Sequence, residues 1–162
     1  MHFRKGGEQM AKFIFKMSNI LDLKYKLEEQ ERVLYGNARL KLTQEEEKLS
    51  TLMDRKLGYE NKYRDLLLKK LNIHEITHAQ TAISTMKELI SNQKIAVTQA
   101  EKSLEAARIR LNKAMVDRKT YEVLREKAFE QFKRKVDEAE QKEIDELVSY
   151  KFNRPTSYEE EQ

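Results

Sequence analysis

The sequence has no cysteine and no tryptophan, and its 162 residues include one proline and four glycines. The absence of cysteine excludes disulfide bonds and thiolate metal sites, and it fits a reducing compartment. Few glycines and prolines, together with 37% charged residues, are typical of long solvated helices rather than of a compact globular core. The only proline, Pro155, restricts the residue before it and is expected to end the last helix.

Long hydrophobic runs are also missing. The longest purely aliphatic block is Leu66–Leu68, whereas a membrane-spanning helix needs about 18 apolar residues. The basic N-terminus has no apolar segment of about 7 residues of the kind that a secretory signal requires. We therefore predict a cytoplasmic protein with no integral membrane segment.

A seven-residue repeat dominates residues 76–114. One column of this repeat is branched and aliphatic throughout: Ile76, Ile83, Ile90, Val97, Leu104 and Leu111. The column three residues later is mostly small: Ala79, Met86, Gln93, Ala100, Ala107 and Ala114. This spacing predicts a coiled-coil seam that a partner helix can approach closely. Without a partner, about six branched side chains would stay in water, at roughly 1.5 to 3 kcal/mol each.

The partner is predicted to be an earlier helix of the same chain. From Ala38 to Leu66 one apolar phase recurs, with Glu45 and Lys56 as polar interruptions. Nearer the N-terminus the apolar face is broad. One column there consists of Phe13, Met17, Ile20, Leu27 and Leu34, and beside it lie Ile14, Leu21, Tyr35 and Leu42. Two glycines interrupt this helix and are either close-approach points or soft spots, namely Gly36 and Gly58.

A turn is predicted near Leu71, because Asn72 and Glu75 have the spacing of a helix capping box. If the chain folds back there as an antiparallel hairpin, facing residues should have numbers that add to about 142. That register places Leu52 opposite Ile90, so that seam faces seam. The partner helix is then intramolecular.

The predicted fold is all-α, with two long helices in an antiparallel coiled-coil hairpin and a second helix that is longer than the first. The hairpin covers residues 11–152 and turns at about 70–74. We interpret residues 1–10 as a flexible leader, with Met10 as a candidate start, and residues 153–162 as a disordered acidic tail.

The second helix is predicted to extend beyond its partner. After Ala128 the facing positions fall in the leader, yet a helical apolar pattern continues to about Tyr150. Its members include Phe132, Val136, Ile144 and Leu147. We expect another surface to cover them.

The segment His74–His78 matches the H-E-x-x-H pattern, in which two histidines one turn apart bind zinc and the glutamate acts as general base. Catalytic zinc also needs a third protein ligand and a site that excludes water. The only other histidine is His2, Ser84 occupies the third-ligand spacing of one such class, and a hairpin has no cleft. We therefore predict no catalytic activity, no metal and no cofactor, with Glu75 serving as a helix cap.

Four ordered motifs resemble the family of the flagellar export protein FliJ. They are F-x-F-x-M-x-x-I-L-D-L-K at residues 13–24, Y-x-x-x-Y-R at 59–64, K-x-Y-E-x-L-x-E-K at 119–127 and E-Q-K-x-x-D-E at 140–146. Their order, their spacing and the total length carry the resemblance, and it covers Met10 to about Lys151.

The resemblance implies a hairpin similar to the stalk of the rotary ATP synthase gamma subunit. Members of the family sit at the centre of the hexameric flagellar export ATPase, contact the export-gate membrane protein and bind export chaperones. For this chain it implies a non-enzymatic part in protein export, flagellum biogenesis and motility, at the cytoplasmic face of the flagellar basal body.

The resemblance also suggests two sets of binding residues. By motif, the ATPase-binding end includes Gln141, Lys142, Asp145 and Glu146, and the apolar overhang adds Phe132, Val136 and Leu147. The export-gate-binding surface corresponds to Tyr59, Tyr63, Ala82, Met86, Leu89 and Gln93. The chain departs from the family at Ala82 and Gln93, where some relatives carry an aromatic residue and a histidine.

Two other functions remain as alternatives. A generic coiled-coil scaffold or tether would show the same heptads. A nucleic-acid-binding coiled coil would use the basic residues Arg108, Arg110, Lys113, Arg118, Lys119 and Arg125. These are interleaved with Glu105, Asp117, Glu122 and Glu126, which favours a solvated face with weak ion pairs over a nucleic-acid interface.

Overall fold

The computed structural model describes residues 12–70 and 72–152. These residues form two α-helices and no strand, with α1 spanning Ser18–Leu68 and α2 spanning Ile73–Phe152. The second helix has 80 residues and the first has 51, so the predicted all-α hairpin with a longer second helix is confirmed. Neither helix, over its described length, is apolar enough to cross a membrane.

The described chain divides into two compact units. Residues 24–117 form one unit, which we call the hairpin unit. Residues 12–23 together with 118–152 belong to the other, which we call the terminal unit. Each unit contains part of α1 and part of α2. The predicted leader and acidic tail lie outside the described residues.

The start of α2 is capped by Asn72, the first residue of the predicted capping box. The Asn72 side-chain Oδ1 accepts a hydrogen bond from the backbone N–H of His74 at 3.1 Å. The Asn72 carbonyl accepts another from the backbone N–H of Ile76, also at 3.1 Å. Asn72 therefore satisfies a backbone donor that the first turn of a helix leaves without an intrahelical partner.

The seam of α2 lies where the heptads predicted it. All twelve members of its two columns are buried or half-buried. The least exposed are small or branched residues spread along the whole unit: Ala79, Ile90, Ala100 and Ala107. Ala107 is only 1% exposed, which shows that α1 approaches α2 closely at this small residue.

Two ion pairs between the helices test the predicted register. In one, Lys24 Nζ lies 3.1 Å from Asp117 Oδ2. In the other, Arg110 Nε lies 3.2 Å from Glu31 Oε2. The residue numbers of each pair add to 141, within one residue of the predicted register. The antiparallel pairing inside one chain is confirmed.

On α1 the structure decides which apolar column is buried. Leu21 is 3% exposed and Tyr35 is half-buried, whereas Leu27 is 39% exposed. Of the two columns in the predicted broad apolar face, the one through Leu21 and Tyr35 is therefore the buried one, while Ile20, Leu27 and Leu34 stay exposed. The phase of the Ala38–Leu66 segment continues back through Glu28, which is buried at the heptad position between Leu21 and Tyr35.

Aromatic side chains pack together in the terminal unit. The ring of Phe13 lies 5.1 Å from that of Phe129 in an edge-to-face arrangement, and 5.5 Å from that of Phe132. Phe132 is therefore covered from within the chain, contrary to the expectation that an outside surface covers it. Residues 12–17 are not helical, and an extended chain advances about 3.3 Å per residue against 1.5 Å in a helix. The segment can therefore reach further along α2 than a helix of the same length.

The far end of α2 is different. Every residue from 137 to 152 is exposed. The apolar members are no exception: Ile144, Leu147, Val148, Tyr150 and Phe152 are all about half exposed or more. No other described part of the chain covers this segment, which we call distal α2.

Candidate functional site

Distal α2 presents two chemically different faces. Ile144, Leu147 and Val148 are spaced i, i+3 and i+4, so they share one face of the helix. The predicted ATPase-binding residues Gln141, Lys142, Asp145 and Glu146 share another. At 100° per residue the mean directions of the two faces differ by about 140°. Leu147, also predicted to bind the ATPase, therefore points away from the four polar residues.

The polar face of distal α2 is held by a local hydrogen bond. Gln141 Nε2 donates to Asp145 Oδ1 at 3.0 Å, one helical turn away. Such pairs stabilise an isolated helix by about 0.2 to 0.5 kcal/mol. The segment thus has some helical stability of its own, while its apolar face stays open for a partner.

Phe132 and Val136 differ from the other predicted ATPase-binding residues. Both are half-buried, and Phe132 packs against Phe13. The apolar surface that is fully available begins after Val136. The structure therefore separates the seven predicted residues into two that are half-buried within the terminal unit and five that are exposed on distal α2.

The predicted gate-binding residues all lie in the hairpin unit, but they differ in accessibility. Tyr59 and Leu89 are exposed at 38% and 42%. Tyr63, Ala82 and Met86 are half-buried. On α2 the spacing from Ala82 through Met86 to Leu89 is i, i+4 and i+7, so these three do share a stripe.

Gln93, the last of the predicted gate-binding residues, is engaged inside the hairpin. Its side-chain Nε2 donates to Glu45 Oε2 at 2.5 Å and to the Glu45 carbonyl oxygen at 3.0 Å. Lys41 and Lys48 lie 2.6 and 3.1 Å from Glu45 Oε1. Glu45, Gln93, Lys41 and Lys48 form what we call the polar clamp. Gln93 therefore connects the two helices, and only part of it is accessible to a partner.

The polar clamp changes the protonation behaviour of Glu45. Hydrogen bonds from Lys41, then Gln93, then Lys48 lower the pKa of the Glu45 carboxyl from 4.5 to about 2. A carboxylate that accepts several hydrogen bonds is favoured in its charged form. Glu45 therefore stays ionised at neutral pH although its side chain is buried in the seam.

The H-E-x-x-H segment begins α2 in an exposed turn. His74, Glu75 and His78 are exposed and line a surface pocket together with Tyr59 and Lys62. Among residues 12–70 and 72–152, no group of three or more His, Cys, Asp or Glu side chains is arranged to hold a metal ion. The backbone N–H of His74 takes part in the Asn72 cap, which gives the segment a structural role.

Several basic residues proposed for the nucleic-acid alternative are paired with carboxylates. Arg108 binds Glu105 through two hydrogen bonds of 2.9 and 2.8 Å, and this pairing lowers the pKa of Glu105. Arg118 donates to Glu122 at 2.6 Å. Arg110 binds Glu31 across the helices, as described above. Cations engaged in this way favour the interpretation of a solvated, ion-paired face.

Two features were missed by the sequence reasoning. The clamp could have been found, because Glu45 and Gln93 are polar interruptions that nearly face each other in the predicted register. The contact of Phe13 with Phe129 had no such signal, since heptad rules do not apply to the non-helical residues 12–17.

Comparisons with known proteins agree with this architecture. The model of the family described as flagellar FliJ protein matches residues 13–157. A protein described as a YscO homolog, CT670 from Chlamydia trachomatis, has a similar structure with a TM-score of 0.71 and 19% identity, covering 91% of this chain and 100% of that chain. At this identity the likeness demonstrates a shared fold. No curated protein matches the sequence significantly.

Proposed function

The chain belongs to the family of flagellar FliJ proteins, and from this premise we propose that it is a component of the flagellar export apparatus and forms its central stalk. The stalk would link the hexameric export ATPase to the export-gate membrane protein and would bind export chaperones. It would act without catalysing a reaction itself, at the cytoplasmic face of the basal body.

The observation that supports a stalk most strongly is the full exposure of distal α2. An apolar face that includes Leu147 and a polar face that includes Lys142 point in nearly opposite directions. A partner lying on one side of the helix could contact only one of them. A ring that surrounds the helix can contact both, and this is the arrangement that the proposal requires.

The energetics of the two faces suggest different roles. Aliphatic side chains at the centre of an interface commonly carry most of its binding energy, with truncations costing about 2 kcal/mol or more at the best sites. Charged residues at the rim contribute more to association rate and orientation. We therefore assign affinity for the ATPase to Ile144, Leu147 and Val148, and orientation to Lys142 and Asp145.

For the gate-binding surface, the exposed pair Tyr59 and Leu89 is the best candidate for direct contact. Met86 and Tyr63 lie in the seam, where they support the surface from beneath. Gln93 would act through the polar clamp. The gate contact would then depend on the hairpin being correctly paired, because its residues come from both α1 and α2.

A truncation tests the stalk proposal. We expect a chain that ends at Lys135 to keep its helical hairpin and to lose binding to the flagellar export ATPase, by about tenfold or more. Circular dichroism and a pull-down with the ATPase, performed on the same protein, give the two readouts. Undiminished ATPase binding would overturn the role of distal α2.

Two further variants test the apolar face and the polar face of distal α2 separately. Changing Ile144, Leu147 and Val148 together to serine should abolish ATPase binding while the C-terminal residues stay present. Reversing the charges of Lys142 and Asp145 should weaken binding less and make it less sensitive to salt. Both variants should keep the thermal unfolding midpoint of the parent, because neither set is buried in the described chain.

A further inference from the structure

The tip of the hairpin unit exposes apolar side chains more fully than any other described part of that unit. Leu68, the last residue of α1, is 86% exposed, and Ile73, the first residue of α2, is 79% exposed. Leu67 is 47% exposed. Five peptide steps separate Leu68 from Ile73, so their α-carbons lie within about 18 Å of each other. We call these three residues the apolar tip.

The turn that carries the apolar tip has charge of one sign, and the first carboxylates on either side of it are the exposed Asp65 and Glu75. Between Leu66 and His74 the sequence holds Lys69 and Lys70 and no acidic residue. Both lysines are exposed, and neither forms an ion pair with another residue in the described part of the chain. The cationic heads lie in the same short turn as the exposed aliphatic side chains.

Distal α2 provides a contrast. Its exposed aliphatic residues Ile144 and Leu147 are interleaved with Glu143, Asp145 and Glu146. Carboxylates would be repelled by an anionic surface, whereas the lysines of the tip would be attracted to one. The two exposed apolar regions are therefore suited to different partners.

The small size of the apolar tip also limits what can cover it. A stable protein interface usually buries about 1,200 Å² or more in total, which three such side chains do not supply. A fluid lipid surface can take up a few aliphatic groups below the headgroups while lysines remain at the level of the phosphates.

From these observations we propose that the hairpin tip binds an anionic lipid surface, with Leu67, Leu68 and Ile73 inserting below the headgroups and Lys69 and Lys70 contacting phosphates. This goes beyond the proposed protein partners, and it does not depend on the ATPase interaction. The chain would touch the bilayer through this tip without spanning it.

The absence of tryptophan in the sequence allows a direct test. Leu68→Trp places the only tryptophan of the protein at the tip. Vesicles of phosphatidylglycerol and phosphatidylethanolamine should shift its fluorescence to shorter wavelength, and vesicles of phosphatidylcholine alone should shift it much less. Tyr150→Trp, on distal α2, is the matched control and should not respond. An absent shift at the tip, or an equal shift in the control, would overturn the proposal.

Sedimentation with the same vesicles tests the residues themselves. The full chain with Leu68→Ser and Ile73→Ser should bind phosphatidylglycerol vesicles about tenfold more weakly. Lys69→Glu with Lys70→Glu should remove the preference for anionic lipid and most of the salt dependence. Leu147→Ser should change nothing, and circular dichroism should show all variants helical.

Two outcomes of the sedimentation would count against lipid binding. If the serine variant sediments with vesicles as well as the parent does, the tip does not insert. If that same variant instead loses a pull-down with the export-gate protein, the tip is a protein contact. The vesicles contain no protein, so failure here is distinguishable from failure of the stalk proposal, which is measured with the ATPase.

Discussion

Ile90 and Ile144 lie in the same helix, yet Ile90 is 8% exposed and Ile144 is 53% exposed. Both belong to apolar patterns with helical spacing. The difference is that α1 packs against α2 at Ile90, whereas no described residue covers distal α2. An apolar stripe on a helix thus indicates that a partner is needed, but only the fold reveals whether the chain itself provides that partner.

Polar residues show the same contrast. In the hairpin unit, buried Glu45 accepts hydrogen bonds from both helices and its charge is satisfied. A single polar position in a seam can set the register of a coiled coil at some cost in stability. On distal α2 the polar contact runs within the helix, from Gln141 to Asp145. Polar groups in the hairpin unit therefore fix the pairing of helices, while those on distal α2 remain available at the surface.

The largest expected effect on stability comes from changing an isoleucine to alanine, once in the hairpin unit and once on distal α2. Ile90→Ala should lower the free energy of unfolding by about 2 to 4 kcal/mol, because it leaves a gap in a packed seam. Ile144→Ala should change it by no more than about 0.5 kcal/mol, because the side chain is exposed. Urea unfolding followed by circular dichroism measures both. Equal losses would mean that distal α2 folds against another part of the chain.

The converse substitution sharpens the comparison. Ala107→Leu should destabilise the hairpin by about 1 to 3 kcal/mol, since α1 leaves no room at this position for three more carbon atoms. Ala139→Leu, on exposed distal α2, is the matched control and should be close to neutral. The same urea experiment applies. A neutral result at Ala107 would show that the two helices can separate there without loss.

The smallest effect is expected at the polar clamp and is seen as a dependence on pH. The pKa of Glu45 is lowered from 4.5 to about 2 in the folded chain, so between these values the unfolded chain binds more protons and stability falls as pH falls. The stabilisation is fully present above about pH 5. Glu45→Gln lacks this titration, so its stability gap to the parent should be widest at neutral pH and narrow towards pH 2.

The control for the clamp is Glu46→Gln, which removes a charge from an exposed neighbour on α1. Urea midpoints of the parent and both variants, measured at neutral pH and near pH 3, complete the comparison. A gap between the parent and Glu45→Gln that stays constant with pH would show that the carboxylate is not held in its charged form by the clamp.

The pairing of the two helices could be worked out from residue spacing. Heptads from Ile76 to Ala114 are free of slips, and a cap at Asn72 limits where the turn can be. Once a seam and a turn are known, an antiparallel hairpin has very few possible registers. This is why the ion pairs Lys24 with Asp117 and Arg110 with Glu31 lie within one residue of the predicted alignment.

The exposed surfaces were less predictable, because exposure depends on what else is near. Leu68 ends the longest aliphatic block and Ile73 lies in the predicted turn, and nothing in the sequence states that both side chains are left open. The chain's flagellar family could be recognised from the order of its motifs. Only the coordinates show which residues of the predicted gate surface are accessible, such as Leu89. They also show which ones are engaged in contacts within the chain, such as Gln93.

Residue periodicity alone was sufficient for the two long helices, their antiparallel partnership and their register, because a repeat of seven encodes one continuous stripe. Three points depended on how the folded chain fills space. Glu28, not Leu27, faces inward on α1. Phe13 covers Phe132. A Cβ added at Gly36 or Gly58 would meet no atom within 4 Å, so neither glycine is a close-approach point. Periodicity describes one helix at a time, whereas these outcomes depend on the distance to a second segment of chain.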